Sequence, residues 1–438
     1  MSVAWTTERI LALAPDPASG KAGQALANPR KWVTLGQNER VLWGECQGSG
    51  ANPYQTQIDL NEPAFKCTCP SRKFPCKHGL GLFLMLGPKV PAVDGTPPEW
   101  VLKWISGRDE KQQAKKEKAE KPAEIADPAA QAKRAAERLA KVRAGMEDLG
   151  TWMNDLVRRG LATIPADDKF FEQPAARLVD AQAPGAARLV RELALEHNSG
   201  EGWPGRMLDR LSRLFLLVEA FGRIEALPPA TQADVRTLVG IPTKEEEVLA
   251  GDAVHDTWQV VGQKVEEEEK LRTQRTWLVG KETRRAALVL EFAYAGQPLK
   301  STLVPGTQFQ ADLAFYPSAN PARAVVKQRH SETVPLSESA GQPGIRAALE
   351  AYGAAVAKMP WIERLGMPLG GVALVRERDR WHVRDDSGDA LPLSPRYAFA
   401  WELLAISGGS PMTAFGEFDG RTLMPLSVIA GGVFHGIG

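Results

Sequence analysis

Three of the four cysteines fall within ten residues of one another, and a histidine follows two positions after the last of them. The spacing is C-x-C, six residues, then C-x-H, formed by Cys67, Cys69, Cys76 and His78. Three thiolates and one imidazole make a complete tetrahedral ligand set for zinc. Because four protein ligands leave no position for water, the pattern predicts one structural zinc ion and not a catalytic one.

The residues around these ligands predict a small ββα unit. Residues 54–60 alternate polar and apolar side chains, as a strand with one buried face does. After His78 the apolar residues of 80–86 follow helical spacing, and a Gly-Pro pair ends the run. Pro70 and Pro75 restrict the loop between the two halves of the site. The last ligand pair is therefore expected at the start of a helix.

A metal-free alternative is that the clustered cysteines are buried small side chains, as free cysteines often are. Their clustering, the two prolines and the polar loop favour the metal site. Cys46 lies on a preceding predicted strand, where we expect a core thiol. Trp32 and Trp43 are also expected to pack in the core, although aromatic faces beside a basic loop can stack on bases.

The ligand loop is locally basic. Its cations are Lys66, Arg72, Lys73 and Lys77, and no carboxylate lies between residues 64 and 78. A zinc ion with three thiolates carries a net charge of −1, so four cations leave the loop at about +3. These four side chains are the predicted nucleic-acid contacts.

The C-x-C-x6-C-x-H pattern, placed between a strand pair and an apolar helix, resembles the SWIM zinc finger. The motif covers residues 50–88, with a six-residue gap at the short end of the family's range, and the rest of the chain resembles uncharacterised bacterial proteins with such a finger near the N-terminus. The resemblance implies zinc bound by Cys67, Cys69, Cys76 and His78, and contact with DNA or protein. It implies no catalytic activity.

Length, composition and net charge limit the number of domains, the kind of nucleic-acid surface and the cellular compartment that can be predicted. A chain of 438 residues with 43% apolar and 24% charged residues is expected to form two to four globular domains. Because the formal net charge is only +1, any nucleic-acid surface must be local. We find no signal peptide and no apolar run long enough to span a membrane, and free clustered thiols fit a reducing compartment. The sequence therefore predicts a cytoplasmic protein that does not contact membranes.

The predicted fold class is multidomain α+β, with a small ββα zinc-finger domain, a central α-helical domain and a C-terminal β-rich region. Apolar residues at three- and four-residue steps indicate the helices, and short runs between Gly/Pro turns indicate the strands. An acidic run at 266–269 is expected at an exposed hairpin tip. The predicted segments are 1–105 (zinc finger), 106–128 (charged linker), 129–245 (helical), 250–335 (β-rich) and 340–438 (mixed α+β).

The segment 103–145 contains twelve Lys/Arg and seven Asp/Glu residues. It can be a solvated helix, which needs no partner, or a nucleic-acid arm with about five phosphate contacts. The interspersed acidic residues favour the solvated helix.

No other motif predicts a site. The remaining histidines show no H-E-x-x-H and no second Cys/His cluster, so each is expected to be an ordinary surface or packed histidine. These histidines are His197, His255, His330, His382 and His435. Residues 296–302 lack the glycine pattern of a phosphate loop, and 385–389 lack the ligand set of a calcium loop.

Three hypotheses remain open. The first is a zinc-binding interaction protein whose finger contacts DNA or another nucleic acid, with further protein partners. The second is a protein–protein adaptor in which zinc is only a folding staple. The third is an enzyme with an unrecognised site in 250–438, which no motif supports. We expect no enzymatic activity and no small-molecule substrate.

Overall fold

The computed structural model combines helices and sheets in three regions: a small N-terminal β domain, a helical central region and C-terminal β-rich sheets. This confirms the predicted fold class. Among the helices of the described residues, none has both the length and the apolar character to cross a bilayer. The described residues are 5, 7–14, 17–48, 52–60, 64–71, 73, 75–86, 97–120, 128–165, 167, 169–197, 199–268, 271–294, 299, 302–336 and 341–437.

The N-terminal domain is built on a four-stranded antiparallel sheet with its strands in chain order. The first two strands reverse at Asn38, whose side-chain oxygen accepts hydrogen bonds from the backbone N–H groups of Arg40 and Val41. An asparagine that bonds its own following backbone fixes such a turn locally. The elements are α1 (Thr7–Ala12), α2 (Pro17–Leu26), β1 (Trp32–Gln37), β2 (Val41–Cys46), β3 (Tyr54–Asp59), β4 (Ala64–Cys67) and α3 (Lys77–Phe83).

Helices cover both faces of this sheet. On one face, Leu42 and Ile58 pack against Phe83 of α3. On the other face, Val41 and Trp43 pack against Val101 of a long helix, α4 (Glu99–Glu120). Trp32 and Trp43 are both buried, which confirms core packing.

Helix α4 extends into the segment predicted as a linker. It is held to the sheet by Arg108, whose Nε lies 3.2 Å from the buried carboxylate of Asp59, and by the ion pair of Arg40 with Asp109. The helix continues across residue 106 without a break. Within 106–128 the described residues are helical, and 121–127 lie outside the described residues.

The central region is a helical bundle. Val142, Met146, Leu149, Met153 and Leu156, predicted at helical spacing, are all buried in its core. Prolines stand in the first turn of several helices, where their missing N–H costs no hydrogen bond. The helices are α5 (Pro128–Arg159), α6 (Lys169–Asp180), α7 (Pro184–Glu196), α8 (Trp203–Gly222), α9 (Pro229–Val239) and α10 (Glu245–Ala250).

The next sheet closes into a small barrel. Its antiparallel order is β10-β8-β5-β6-β7, with β9 also beside β8. The ring is completed by a parallel bridge between Leu288 and Arg323, which joins β7 to the start of β9. Trp258 and Phe309 fill the interior. The strands are β5 (Ala253–Glu268), β6 (Leu271–Gly280), β7 (Ala286–Tyr294), β8 (Thr307–Phe315), β9 (Ala324–Arg329) and β10 (Val334–Pro335).

The last sheet has the order β13-β12-β11-β14-β15-β16. Its long strand β11 changes register between Leu369 and Val372, where Gly371 has a φ of +68°. A glycine adopts this left-handed conformation without steric cost, so it suits a bulge. The elements are α11 (Ile345–Lys358), β11 (Leu365–Glu377), β12 (Arg380–Arg384), β13 (Ala390–Pro392), α12 (Ala400–Ser407), β14 (Met412–Phe418), β15 (Leu423–Ala430) and β16 (Val433–Gly436).

A buried ion network joins the two C-terminal sheets. The guanidinium of Arg275 contacts the Glu417 carboxylate at 2.7 and 2.9 Å and Glu266 at 2.7 Å. The indole N–H of Trp277 donates to the same Glu417 carboxylate at 2.9 Å. Glu266 belongs to the acidic run expected at an exposed tip, where it is exposed, and it is also an ion-pair partner of the buried Arg275.

The C-terminal region also packs against the helical bundle. Trp361, between α11 and β11, belongs to the bundle core, and its indole N–H donates to the backbone oxygen of Arg213 at 2.9 Å. Asp234 of α9 accepts a hydrogen bond from the backbone N–H of Ala319 at 2.8 Å. Burial raises the pKa of this Asp234 carboxyl. Side chains from distant parts of the chain therefore complete the bundle.

Candidate metal centre

The four predicted zinc ligands lie at the junction of a strand and a helix. Cys67 is the last residue of β4, and Cys69 follows in the turn. Cys76 caps the N-terminus of α3, and His78 lies in its first turn. The ligand atoms of all four residues lie within 4.8 Å of one another. Strand pairing and helix formation thus bring the C-x-C and C-x-H pairs together.

Local hydrogen bonds fix the ribbon that carries Cys67 and Cys69. Thr56 of β3 is the register partner of Cys67, and its hydroxyl lies 3.2 Å from the sulfur. Past the strand end, Gln55 and Thr68 exchange two hydrogen bonds of 3.0 Å, one between backbone groups and one from the Gln55 backbone N–H to the Thr68 hydroxyl. These contacts extend the strand pairing around the ligands.

The helix start fixes the other ligand pair. The sulfur of Cys76 accepts a hydrogen bond from the backbone N–H of Gly79 at 3.5 Å. His78 is buried, and its ring lies beside that of Tyr54, with centroids 5.1 Å apart. Its Nδ1 faces the sulfurs of Cys67 and Cys76 at 3.8 and 4.0 Å.

These separations fit zinc. Bonds of ~2.3 Å to sulfur and ~2.0–2.1 Å to nitrogen place the two donors about 3.6 Å apart in a tetrahedron. A small contraction around the ion therefore completes the geometry with Nδ1 as the imidazole ligand. Cys46 is outside the ligand group, because its sulfur faces the backbone oxygen of Lys31 at 3.5 Å within the domain core.

Family models match two stretches of the chain. The SWIM zinc finger model matches residues 54–87, which contain β3, β4, the four ligands and α3. This chain carries a SWIM zinc finger. A second model, the SWIM-associated four-helix bundle domain, matches residues 137–239 in the helical region. Both matches confirm the SWIM resemblance, while a bacterial origin stays a prediction. Comparison with curated proteins gave no match, and neither did comparison with solved structures.

The SWIM finger binds one structural zinc ion, as its family and its Cys3His ligand group together indicate. The ion supplies a crosslink between the β4 ribbon and the start of α3. Because all four tetrahedral positions are filled by protein, this centre has no open position for a substrate or a reactive water.

Without zinc, the ligands of the SWIM finger share protons. The hydrogen bond between Cys67 and Cys69 raises the pKa of the Cys67 thiol and lowers the pKa of the Cys69 thiol. Burial opposes a charge on His78, but hydrogen bonds to Cys69 and Cys76 raise its pKa to about 9. Zinc requires thiolates and a neutral imidazole, so binding must release protons.

Zinc affinity of the finger is therefore expected to increase with pH through the pKa of His78, which is about 9 in the metal-free cluster, because His78 and the Cys67 thiol must both lose their protons. Each proton released adds about a tenfold gain in affinity per pH unit. Competition with a chelator, corrected for the chelator's own protonation, measures the slope. The Cys46→Ser variant is the control and should show the same slope as the native chain. An affinity independent of pH would contradict this proton exchange.

The predicted nucleic-acid contacts lie within the SWIM finger, next to its metal ligands. Lys66 on β4, Lys73 in the ligand loop and Lys77 at the start of α3 are all exposed. Arg72 lies outside the described residues. Lys77 and Lys31 both lower the pKa of Cys46 electrostatically, although burial raises it overall. Lys31 therefore adds a cation to this side of the domain.

One expectation from the sequence is corrected. His255 and His330 are not isolated histidines, because the structure brings both to Asp312. Strand pairing across 57 and 18 residues creates this group, so no short sequence motif could show it. His197, by contrast, is a packed histidine whose ring meets that of Trp203 edge-on at 5.1 Å.

Proposed function

We propose that this protein is a nucleic-acid-binding interaction protein, with DNA as its first candidate partner, and that the SWIM finger makes the contact. The observation that carries the proposal is the exposure of Lys66, Lys73 and Lys77 around a buried metal centre. The zinc-loaded centre contributes only about −1, so the loop with Arg72 retains about +3. In a chain of net charge +1, this is a local cationic surface.

The basic loop suits phosphate contact more than base reading. Lysine ammonium groups bind phosphates as point charges, which positions a protein on a duplex without reading its sequence. Zinc holds the loop in one conformation before binding, which lowers the entropy cost of association. We propose a structural role for the metal and no catalytic activity. The reducing cytoplasm, which keeps the thiols available, is the proposed location.

The test is binding of the full-length, zinc-loaded protein to duplex DNA at several salt concentrations. Affinity should fall steeply with salt, with a slope near −0.9 for each phosphate contacted. Replacing Lys66, Lys73 and Lys77 with alanine should weaken binding and reduce the slope by about 1 per lysine.

Two controls make this result interpretable. Metal analysis must show that the triple variant keeps its zinc, so that lost binding is not lost folding. Alanine at Lys169, Lys281 and Lys358, three exposed lysines outside both the finger and the segment 103–145, removes the same charge elsewhere and should leave binding unchanged. No measurable DNA binding at low salt would reject the proposal.

A second candidate function is a protein–protein adaptor. It is favoured by exposed apolar side chains on the bundle, among them Leu195 of α7 and Leu208 and Phe215 of α8, of which Leu195 is 72% exposed. Leu208 and Phe215 are two helical turns apart and so lie on one side of α8. Exposed apolar groups on one surface are typical of protein interfaces. On this reading zinc only stabilises the N-terminal domain.

A further inference from the structure

A group of titratable side chains lies on the barrel sheet. His255 of β5 and Asp312 of β8 are direct register partners on the paired strands. His330 follows the last residue of β9, and its backbone N–H donates to the backbone oxygen of Gln310 at 2.8 Å. Three adjacent strands therefore present one side chain each to the same place.

The Asp312 carboxylate lies between the two imidazoles. Its Oδ1 accepts from Nδ1 of His255 at 2.7 Å, and its Oδ2 accepts from Nε2 of His330 at 2.7 Å. The two rings are 5.1 Å apart. Hydrogen bonds from His330 and His255 lower the pKa of Asp312, so the carboxylate is ionised near neutral pH. With neutral imidazoles, the group carries a charge of −1.

The backbone beneath this group is rigid. Trp258, three residues after His255, is fully buried, and its indole N–H donates to the backbone oxygen of Ala311, beside Asp312, at 3.1 Å. The strand positions are fixed, whereas the side chains reach solvent: that of His255 is 62% exposed and that of His330 is 30% exposed. A ligand from solution can therefore reach the group.

We propose that His255, Asp312 and His330 form a second metal site, which binds a divalent transition-metal ion such as zinc. Two imidazoles and a carboxylate are donors that zinc and its first-row neighbours prefer, whereas calcium and magnesium prefer sets made of oxygen atoms. The site contains no thiolate and is open to solvent. It differs from the SWIM finger in having three protein ligands and a free position for water.

The ligand atoms are already close enough for this role, since they lie within 4.8 Å of one another. Around zinc with bonds of ~2.0–2.1 Å, donors sit about 3.3 Å apart. Each imidazole must move about 0.6 Å away from the carboxylate oxygen that it now contacts. Rotation of partly exposed side chains supplies this movement without a change in the strands. Each neutral imidazole also carries its proton on its other ring nitrogen when the metal is bound, because the nitrogen that now donates to Asp312 must offer its lone pair to the ion.

The experiment adds zinc to the full-length protein after the SWIM finger is loaded and free metal is removed. Equilibrium dialysis should show a second, weaker equivalent of zinc. Cobalt(II) added to the same zinc-loaded protein should give visible bands without thiolate charge transfer, because this site holds no sulfur. The variants His255→Ala and His330→Ala should lose the second equivalent and keep the first.

A conservative variant and a control separate metal binding from folding. Asp312→Asn keeps the side-chain shape but removes the charge, and it should weaken the second site by about tenfold or more. His435→Ala on β16 removes a histidine outside the group and should bind as the native chain does. If the native chain takes up only the finger's zinc at millimolar metal, or if both histidine variants keep the second equivalent, the site does not exist.

Discussion

Replacing Cys76 with serine is expected to abolish zinc binding by the SWIM finger and to unfold the N-terminal domain. Zinc contributes ~10–16 kcal/mol in isolated zinc fingers, which matches or exceeds the total stability of an ordinary domain. A serine hydroxyl at this position can still accept the hydrogen bond that the Cys76 sulfur accepts from Gly79, so the expected loss comes from the missing metal ligand and not from the helix cap. Metal analysis should fall from one equivalent towards zero.

Hydrogen exchange tests the structural part of this prediction. In the Cys76→Ser variant, the four strands of the N-terminal sheet and α3 should exchange freely, while the helical bundle and the two C-terminal sheets keep their protection. Cys46→Ser is the matched control, since Cys46 is equally buried but faces a backbone oxygen and not the ligands. Full zinc occupancy and native exchange in Cys76→Ser would show that this cysteine is not a ligand.

The second large effect is expected at the network between the C-terminal sheets. Replacing Glu417 with leucine leaves the buried guanidinium of Arg275 with Glu266 as its remaining network partner and removes the acceptor of the Trp277 indole. Losing one partner of a buried ion pair costs about 3–5 kcal/mol. Urea unfolding of the full-length protein should show this loss as a lower transition midpoint of the C-terminal region.

The double variant Arg275→Met/Glu417→Leu should recover most of that loss. Replacing both charges by apolar groups removes the guanidinium, whereas the single variant leaves it buried with Glu266 as its one remaining network partner. A small deficit should remain, because the Trp277 indole still lacks its acceptor. If the double variant is destabilised by the sum of the single effects, the network is not coupled as the geometry indicates.

The sequence predicted those features that short stretches encode. The ligand spacing of Cys67, Cys69, Cys76 and His78 located the zinc centre because each half of the site is a local turn or helix start. The helices of the central region were also predicted, because their apolar residues recur at three- and four-residue steps.

The features that were missed depend on contacts between distant residues. Helix α4 continues past residue 105, as the solvated-helix interpretation of 103–145 expects, but its packing on the finger sheet through Trp100, Val101 and Trp104 has no local signal in the sequence. Glu266 is exposed near the β5–β6 hairpin tip, as expected, but its ion pair with Arg275, which Glu417 from another sheet helps to bury, depends on strand pairing that the sequence does not show. The His255–Asp312–His330 group arises in the same way, from strand register.

The position of Trp361 in the core of the helical bundle has a consequence during synthesis. Helix α9, the last helix in the bundle core, ends at Val239. Trp361, whose indole completes that core, lies ~120 residues further along the chain. Because translation proceeds at ~5–20 residues per second, Trp361 emerges about 6–24 seconds after Val239. Throughout that interval the nascent bundle exposes an unfilled apolar pocket. A later part of the chain therefore completes the packing of a much earlier part, and the bundle reaches its full stability only after Trp361 has emerged.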